Sequence, residues 1–223
     1  MHQKKSKKIY IYFFLLIIFG SINNTNLHNF EFPTIENINV TGLEYIDNQT
    51  LKSKIKNQNL GNIFLLNDIE IKNIIDSNTL VENYSIFKNY PSSLQIKIKK
   101  TSFLAKINKN GKNFFIGSNG KLSINDFSNK ELPFIFGKLD FDEFLKLRQI
   151  ILKSKLSYEQ IKSFYFFPSK RWDLELKNNI IIKLSQKNTK KSLDDAILFL
   201  NETNLKELKI IDARIKNQII IND

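Results

Sequence analysis

Between Glu36 and Lys100 the hydrophobic pattern changes period several times. Ile38-Asn39-Val40-Thr41 alternates and stops at Gly42, the period-two signature of a strand with one face on a core. From Asp47 to Gln58, Leu51 and Ile55 stand four apart; from Asn67 to Asp76, Ile71, Ile74 and Ile75 share one helical face. Gly61-Asn62-Ile63-Phe64 joins the two helical stretches. Leu80 to Phe87 reads as a strand, Tyr90-Pro91-Ser92-Ser93 as a turn, and Leu94 to Lys99 alternates again, which predicts a closing hairpin. Asp47 is the expected cap of the first helix, and Asn67 with Glu70 three residues on is the expected cap of the second. The order is β-α-α-β-β.

From Phe103 onward the pattern shifts to short strands and turns, so a second unit is expected to begin near Thr101. Phe103 to Ile107 and Asn113 to Ile116 form a hairpin around Gly111, and Leu132-Pro133-Phe134-Ile135-Phe136-Gly137 is an extended apolar segment. Leu139 to Lys155 is a helix capped by Asp140, with Phe144, Leu147 and Ile151 on one face, and Ser157 to Gln160 starts a single turn. Phe164–Phe167, Trp172–Lys177 and Ile180–Leu184 read as strands, the last two joined through Asn178-Asn179. Ser192 to Leu205 is a second helix, with Asp194-Asp195 as a solvated first turn, and Lys209–Asp212 and Gln218–Ile221 are final strands. The fold class is α+β: the β-α-α-β-β unit, then a mixed sheet covered by two helices.

The N-terminus adds a topology. Lys4, Lys5, Lys7 and Lys8 precede the uncharged, apolar run Ile9 to Ile22. A basic start followed by such a run marks an export signal whose lysines stay in the cytoplasm. The run is short of the roughly 20 residues that span a bilayer. It suits a cleaved signal peptide in length, but it lacks an Ala-x-Ala site and can continue through uncharged residues to Leu27. The favoured division is a basic tail (1–8), a retained transmembrane signal anchor (9–27), a linker (28–33), the first unit (34–100) and the second (101–223), with both units outside the cytoplasm.

Composition mostly narrows the chemistry. The 223 residues are 42% hydrophobic and 12% aromatic, enough for real cores. There is no cysteine, and the two histidines, His2 and His28, are far apart, so disulfides, thiolate chemistry and histidine-based sites are not expected. The net charge of +12 comes from lysines spread along the chain, with only Arg148, Arg171 and Arg214 as arginines. No groove-reading motif accompanies it, so no nucleic-acid partner is expected. Asp140, Asp142 and Glu143 cluster, but helix capping explains them better than a metal or an acid–base pair. No catalytic, metal-binding or cofactor-binding residue is expected, and enzyme activity is not.

Six pieces in order carry a family resemblance. They are the basic N-terminus with its single apolar run; the unit with Val40-x-Gly42, Gly61-Asn62-Ile63-Phe64, Asp68 and Tyr90-Pro91-x-x-Leu94-x-Ile96; Leu132-Pro133-x-x-x-Gly137; Arg171-Trp172-Asp173-Leu174-x-Leu176; its hairpin partner Ile180 to Leu184; and Ile211-Asp212-x-Arg214. Together they resemble the cell-division FtsQ (DivIB) family, whose first unit is a POTRA domain. The family's acidic-basic pair and proline after that domain are replaced here by Lys100-Thr101 and Phe103, and Ala213 stands where leucine is frequent.

The resemblance implies a non-enzymatic, single-span (type II) protein of the bacterial inner membrane, with its bulk in the periplasm at the division septum. It implies binding of the FtsB–FtsL pair, control of septal peptidoglycan synthesis, and contacts to other divisome proteins through the POTRA domain. The family's docking site lies at the end of the second domain, here Arg214, Ile215, Gln218, Ile219, Ile220 and Ile221. A last strand at a sheet edge leaves backbone groups open to another strand, and an arginine before it can fork onto a partner carboxylate. The residues leave two outcomes open: Arg214 reaches a partner, or it pairs internally with Asp212 or Asp173 while Ile219 and Ile221 face the core. A POTRA-bearing outer-membrane assembly or secretion component is the alternative function.

Overall fold

A computed structural model describes residues 7–22, 33–124, 131–202 and 208–222. The first element is helix α1 (Lys7–Ile22), 16 residues long, or about 24 Å at 1.5 Å per residue. Among the described residues no helix is long and apolar enough to cross a membrane. The expected span from 9 to 27 therefore coincides with α1 up to Ile22, and its remainder lies outside the described residues.

The first sheet unit has the expected order: β1 (Asn37–Thr41), α2 (Tyr45–Lys56), α3 (Asp68–Ser77), β2 (Val81–Asn89) and β3 (Ser93–Lys100). The strands lie in the order β1-β3-β2. β3 runs parallel to β1 and antiparallel to β2. Leu51 and Ile55 of α2, Ile71 and Ile75 of α3, and Ile38, Val40, Leu94, Ile96 and Ile98 of the strands form one core. Asn67 caps α3 as expected, accepting from Ile69 N. Asp47 does not cap α2. Glu44 holds that position without a side-chain bond, because the preceding turn is tied by Asn48, which accepts from Leu43 N (3.2 Å) and donates to Leu43 O (2.8 Å). Gly42 has φ +113°, and a Cβ there would meet Ile98 O at 1.8 Å.

The second unit is a nine-stranded sheet, counted among the described residues, ordered β12-β11-β10-β9-β8-β7-β4-β5-β6. Its strands are β4 (Phe103–Lys109), β5 (Lys112–Gly117), β6 (Leu122–Ser123), β7 (Phe134–Phe136), β8 (Ile161–Phe166), β9 (Trp172–Leu176), β10 (Ile181–Leu184), β11 (Ile210–Ala213) and β12 (Ile220–Asn222). The β4–β7, β7–β8 and β10–β11 pairs are parallel, and the others antiparallel. Helices α4 (Phe141–Leu152) and α5 (Thr189–Glu202) share the sheet's core. Asp140 caps α4 by accepting from Glu143 N, and Glu143 pairs with Lys146 at 2.8 Å. Asp140 and Glu143 of the three crowded carboxylates are thus engaged locally. Phe144 meets Phe164 edge-on at 5.6 Å, and Phe164 meets Trp172 the same way at 6.1 Å. α5 starts a turn earlier than the apolar stripe predicts, so Asp194 and Asp195 lie in its second turn rather than its first, and are half-buried.

One row of side chains fixes the register of this core. Ile135 pairs with Phe164, Phe164 with Leu174, Leu174 with Ile182, and Ile182 with Ile211. All five are buried. The next residues along these strands point to the opposite face: Phe136, Tyr165, Asp173, Lys183 and Asp212, also in register.

A polar clasp joins the units where the sequence departs from the family pattern. Thr101 is buried, its N–H donates to Leu80 O (2.8 Å), and its hydroxyl is 3.1 Å from that of Ser118. Ser118 also donates to Glu82 (3.1 Å). Asn119 donates to Thr79 O (3.0 Å) and Val81 O (2.7 Å), and accepts from Lys121 N. Replacing Asn119 with Ala removes its bonds to Thr79 O in the turn before β2 and Val81 O at its start, an expected cost of about 2 kcal/mol. Small-angle scattering should then show the units moving apart; an unchanged profile and melting point would remove the clasp from the account.

Candidate docking edge

β12 is the terminal strand of the sheet, paired on one side only: Ile210 with Asn222, Ile211 with Ile221, and Asp212 with Ile220. It begins at Ile220, two residues later than the pattern predicts. Asn217 adopts φ +59°, and Gln218 N–H donates to Ile215 O (3.2 Å), so a turn consumes the start of the expected strand. Gln218 and Ile219 bridge the turn to the strand. Lys191 of α5 donates to the Asn217 side chain and ties the turn to the helix.

The six sequence-predicted docking residues divide by environment. Ile219 packs partly against the core. Ile221 continues the buried row past Ile211, yet is 49% exposed, because among the described residues no strand pairs with the far side of β12. Ile220 on the other face is 45% exposed and Ile215 in the turn 53%. The expectation that Ile219 and Ile221 face the core is therefore met in part: Ile219 packs partly against it, and Ile221 points to the core side and is left uncovered there. Gln218 is exposed.

Arg214 resolves toward internal pairing. Its Nε donates to Asp212 Oδ1 (2.8 Å) and Oδ2 (2.9 Å), and its terminal nitrogen also bonds Oδ2. Its backbone N–H adds a fourth bond to Asp212 (3.1 Å). The fork that the sequence offered to a partner carboxylate is thus occupied by a carboxylate two residues away. These bonds brace the turn into β12.

Charge along the outer row alternates. Burial pushes the Asp173 carboxyl above its ordinary value, against the pull of Arg171, whose Nε donates to it at 3.1 Å. Burial pushes Asp212 up too, but the side-chain and backbone bonds from Arg214 outweigh it and hold that carboxyl below its ordinary value. A depressed carboxylate stabilises the fold above its unfolded pKa of about 3.9, and that stability is lost as pH falls through the folded pKa. Asp212→Asn should therefore cost about 1 kcal/mol near neutrality. Its melting point should converge with that of the parent chain as pH drops below 4; a gap constant from pH 6 to 3 would refute this assignment.

Sequence reasoning missed the outer face. Phe136 stacks on Tyr165 (5.0 Å, 12°) and lies 4.8 Å from Phe134. Tyr165 donates to Glu175 (2.7 Å), which also holds Lys162 (2.6 Å). The alternation Phe134-Ile135-Phe136 carried the signal, since it places two aromatics on the face away from Ile135.

Residues 34–100 match the FtsQ-type POTRA domain, and residues 104–214 match the C-terminal domain of cell division protein FtsQ/DivIB. The second match ends at Arg214, before β12. Cell division protein FtsQ of Rickettsia bellii (strain RML369-C) is 27% identical over 190 residues, covering 84% of this chain and 71% of that protein. FtsQ of Rickettsia felis (strain ATCC VR-1525 / URRWXCal2) is 27% identical over 191 residues with the same coverage. A solved structure, the major extracytoplasmic domain of the trans isomer of DivIB from Geobacillus stearothermophilus, aligns with a TM-score of 0.31 at 12% identity, covering 46% of this chain and 98% of that one. With both family models matched in order along one chain, this protein belongs to the FtsQ/DivIB family of cell-division proteins.

Proposed function

We propose that this protein is a non-enzymatic scaffold of the bacterial divisome that docks the FtsB–FtsL pair by strand addition to β12. The observation that carries the reading is the buried row ending at Ile221. Five in-register core residues lead to a sixth that is half exposed at an edge open on one side. An added strand would pair its backbone with β12 and lay an apolar side chain beside Ile221. Ile220, Ile215, Gln218 and Ile219 would frame it, and Arg214, braced on Asp212, would hold the turn in shape.

In this reading α1 and the residues after it anchor the chain in the inner membrane. The POTRA domain (34–100) and the β domain (101–223) lie in the periplasm at the septum, and the scaffold helps govern septal peptidoglycan synthesis. Other divisome proteins contact the POTRA domain. The family of residues 104–214 favours this over an outer-membrane assembly or secretion component. The test is capture from detergent-solubilised membranes with the full chain as bait, probed for FtsB and FtsL. Recovery of both is expected; recovery of neither would overturn the proposal.

A further inference from the structure

The end of the POTRA unit at which the chain arrives carries an exposed apolar surface. Ile35 N–H donates to Gly61 O (3.0 Å), and Glu36 N–H to Ser92 O (3.0 Å). The loop at Gly61 and the β2–β3 turn therefore flank the arriving strand, and α3 starts a few residues after that loop. Four large side chains project from these segments. Phe64 and Tyr90 lie 4.9 Å apart by ring centroids, with Leu65 81% exposed and Ile69 60% exposed. The second unit follows Lys100, which pairs with Val81 at the opposite end of the sheet, so it does not cover them.

This surface is built rather than incidental. Asn62 Oδ1 accepts from Phe64 N (3.1 Å) and Leu65 N (2.9 Å), and Lys88 donates to Leu66 O (3.2 Å), so the loop is held with its apolar tips outward and Leu66 buried beneath. We propose that this end is a membrane-contact surface, with Phe64, Leu65, Ile69 and Tyr90 entering the headgroup–acyl boundary of a lipid bilayer. The inference rests on reading α1 as the membrane anchor.

Chain length and residue type favour a lipid occupant. Ten residues, 23–32, separate α1 from Pro33. Even fully extended they span at most about 35 Å, so the surface that flanks the arriving chain stays within that reach of any bilayer that holds α1. Aromatic and aliphatic tips around a polar frame suit the interfacial zone, where rings such as tyrosine's keep one end wet. The charge named at this end does not favour anionic lipid: Lys88 faces Asp68 at 3.4 Å, and Glu70 adds a second carboxylate in the first turn of α3. Contact should therefore depend on apolar insertion and resist salt, unlike a basic patch on anionic lipid.

The test uses the full chain reconstituted in phosphatidylcholine vesicles carrying bromines on their acyl chains, which quench nearby tryptophan. Trp172 is buried in the second core and gives a constant background. Three variants are compared: Leu65→Trp, Phe13→Trp within α1, and Lys109→Trp at the tip of the β4–β5 hairpin. Leu65→Trp and Phe13→Trp should each lose about half of the added emission or more, with a blue shift that survives high salt, while Lys109→Trp is unaffected. Quenching at position 13 without quenching at 65 overturns the contact and leaves the anchor standing, with a protein as the remaining occupant. No quenching at 13 overturns the anchor, and the contact with it. Equal quenching at 65 and 109 also overturns the proposal, since contact would not be particular to this end.

Discussion

A chain that stops at Ile219 is expected to fold as the parent does and to lose its partner. The truncation removes Ile220, Ile221, Asn222 and Asp223. It keeps Ile219, which packs on the core, and the Arg214–Asp212 brace. All three residues of β12 are exposed, so little apolar burial is lost, and a stability cost of about 1–2 kcal/mol is expected. Docking should suffer far more, because strand addition draws its affinity from the backbone of the strand that has been removed. A drop of at least about a hundredfold in capture of FtsB and FtsL follows from losing most of the main-chain contacts, near 3 kcal/mol. Matched capture assays with a melting curve for each bait decide the point. If the truncated chain melts normally and still captures the pair, the docking site lies elsewhere, and the aromatic outer face around Phe136 and Tyr165 becomes the next candidate.

Replacing Gly42 or Gly137 with Ala should be the most damaging single change in the respective unit. Both glycines have strongly positive φ, +113° and +105°. Both press on a neighbouring strand: a Cβ on Gly42 would lie 1.8 Å from Ile98 O, and one on Gly137 2.1 Å from Phe166 O. These obstacles are backbone carbonyls of core strands, so neither can swing aside as a side chain would. Backbone strain and the displaced strand together should cost about 3 kcal/mol or more at each site. Hydrogen exchange distinguishes the two. Gly42→Ala should deprotect β1 and β3, and Gly137→Ala should deprotect β7 and β8. Normal protection in either variant would show that the chain can relieve the contact by a small shift.

The residues that announced the fold in advance are those whose signal is local. Asn67 and Asp140 cap helices because a side-chain oxygen there meets an N–H two or three residues on. Phe144, Leu147 and Ile151 reach the core because helical spacing alone puts them on one face. What the sequence hid depends on distant partners. Asp47 looked like a cap, but Asn48 fixed the preceding turn and set the start of α2 elsewhere. The two-residue strand β6 exists only because β5 offers it an edge. The terminal strand β12 was legible as an apolar run in residues 218–221, but its start was displaced by a left-handed Asn217, and its exposure follows from sheet order, which alternation does not encode. Arg214 was legible as a candidate with two possible partners. Its short reach to Asp212 decided the role, and the two possibilities differ by a side-chain rotamer that sequence leaves open.

The position of the clasp relative to β12 makes the large sheet a ruler. Ser118 and Asn119, which bond Glu82, Thr79 and Val81 of the POTRA unit, and Lys121, whose Nζ donates to Asp76 O and Asn78 O, lie in the turn between β5 and β6, at one margin of the sheet, while β12 is the other margin. Eight strand spacings at about 4.8 Å separate the margins, roughly 38 Å. A binding partner that touches both the POTRA unit and the β12 edge must bridge that width, with about a dozen extended residues or a helix of about 25. A short peptide can occupy one margin or the other, whereas a rod-shaped partner can read both at once.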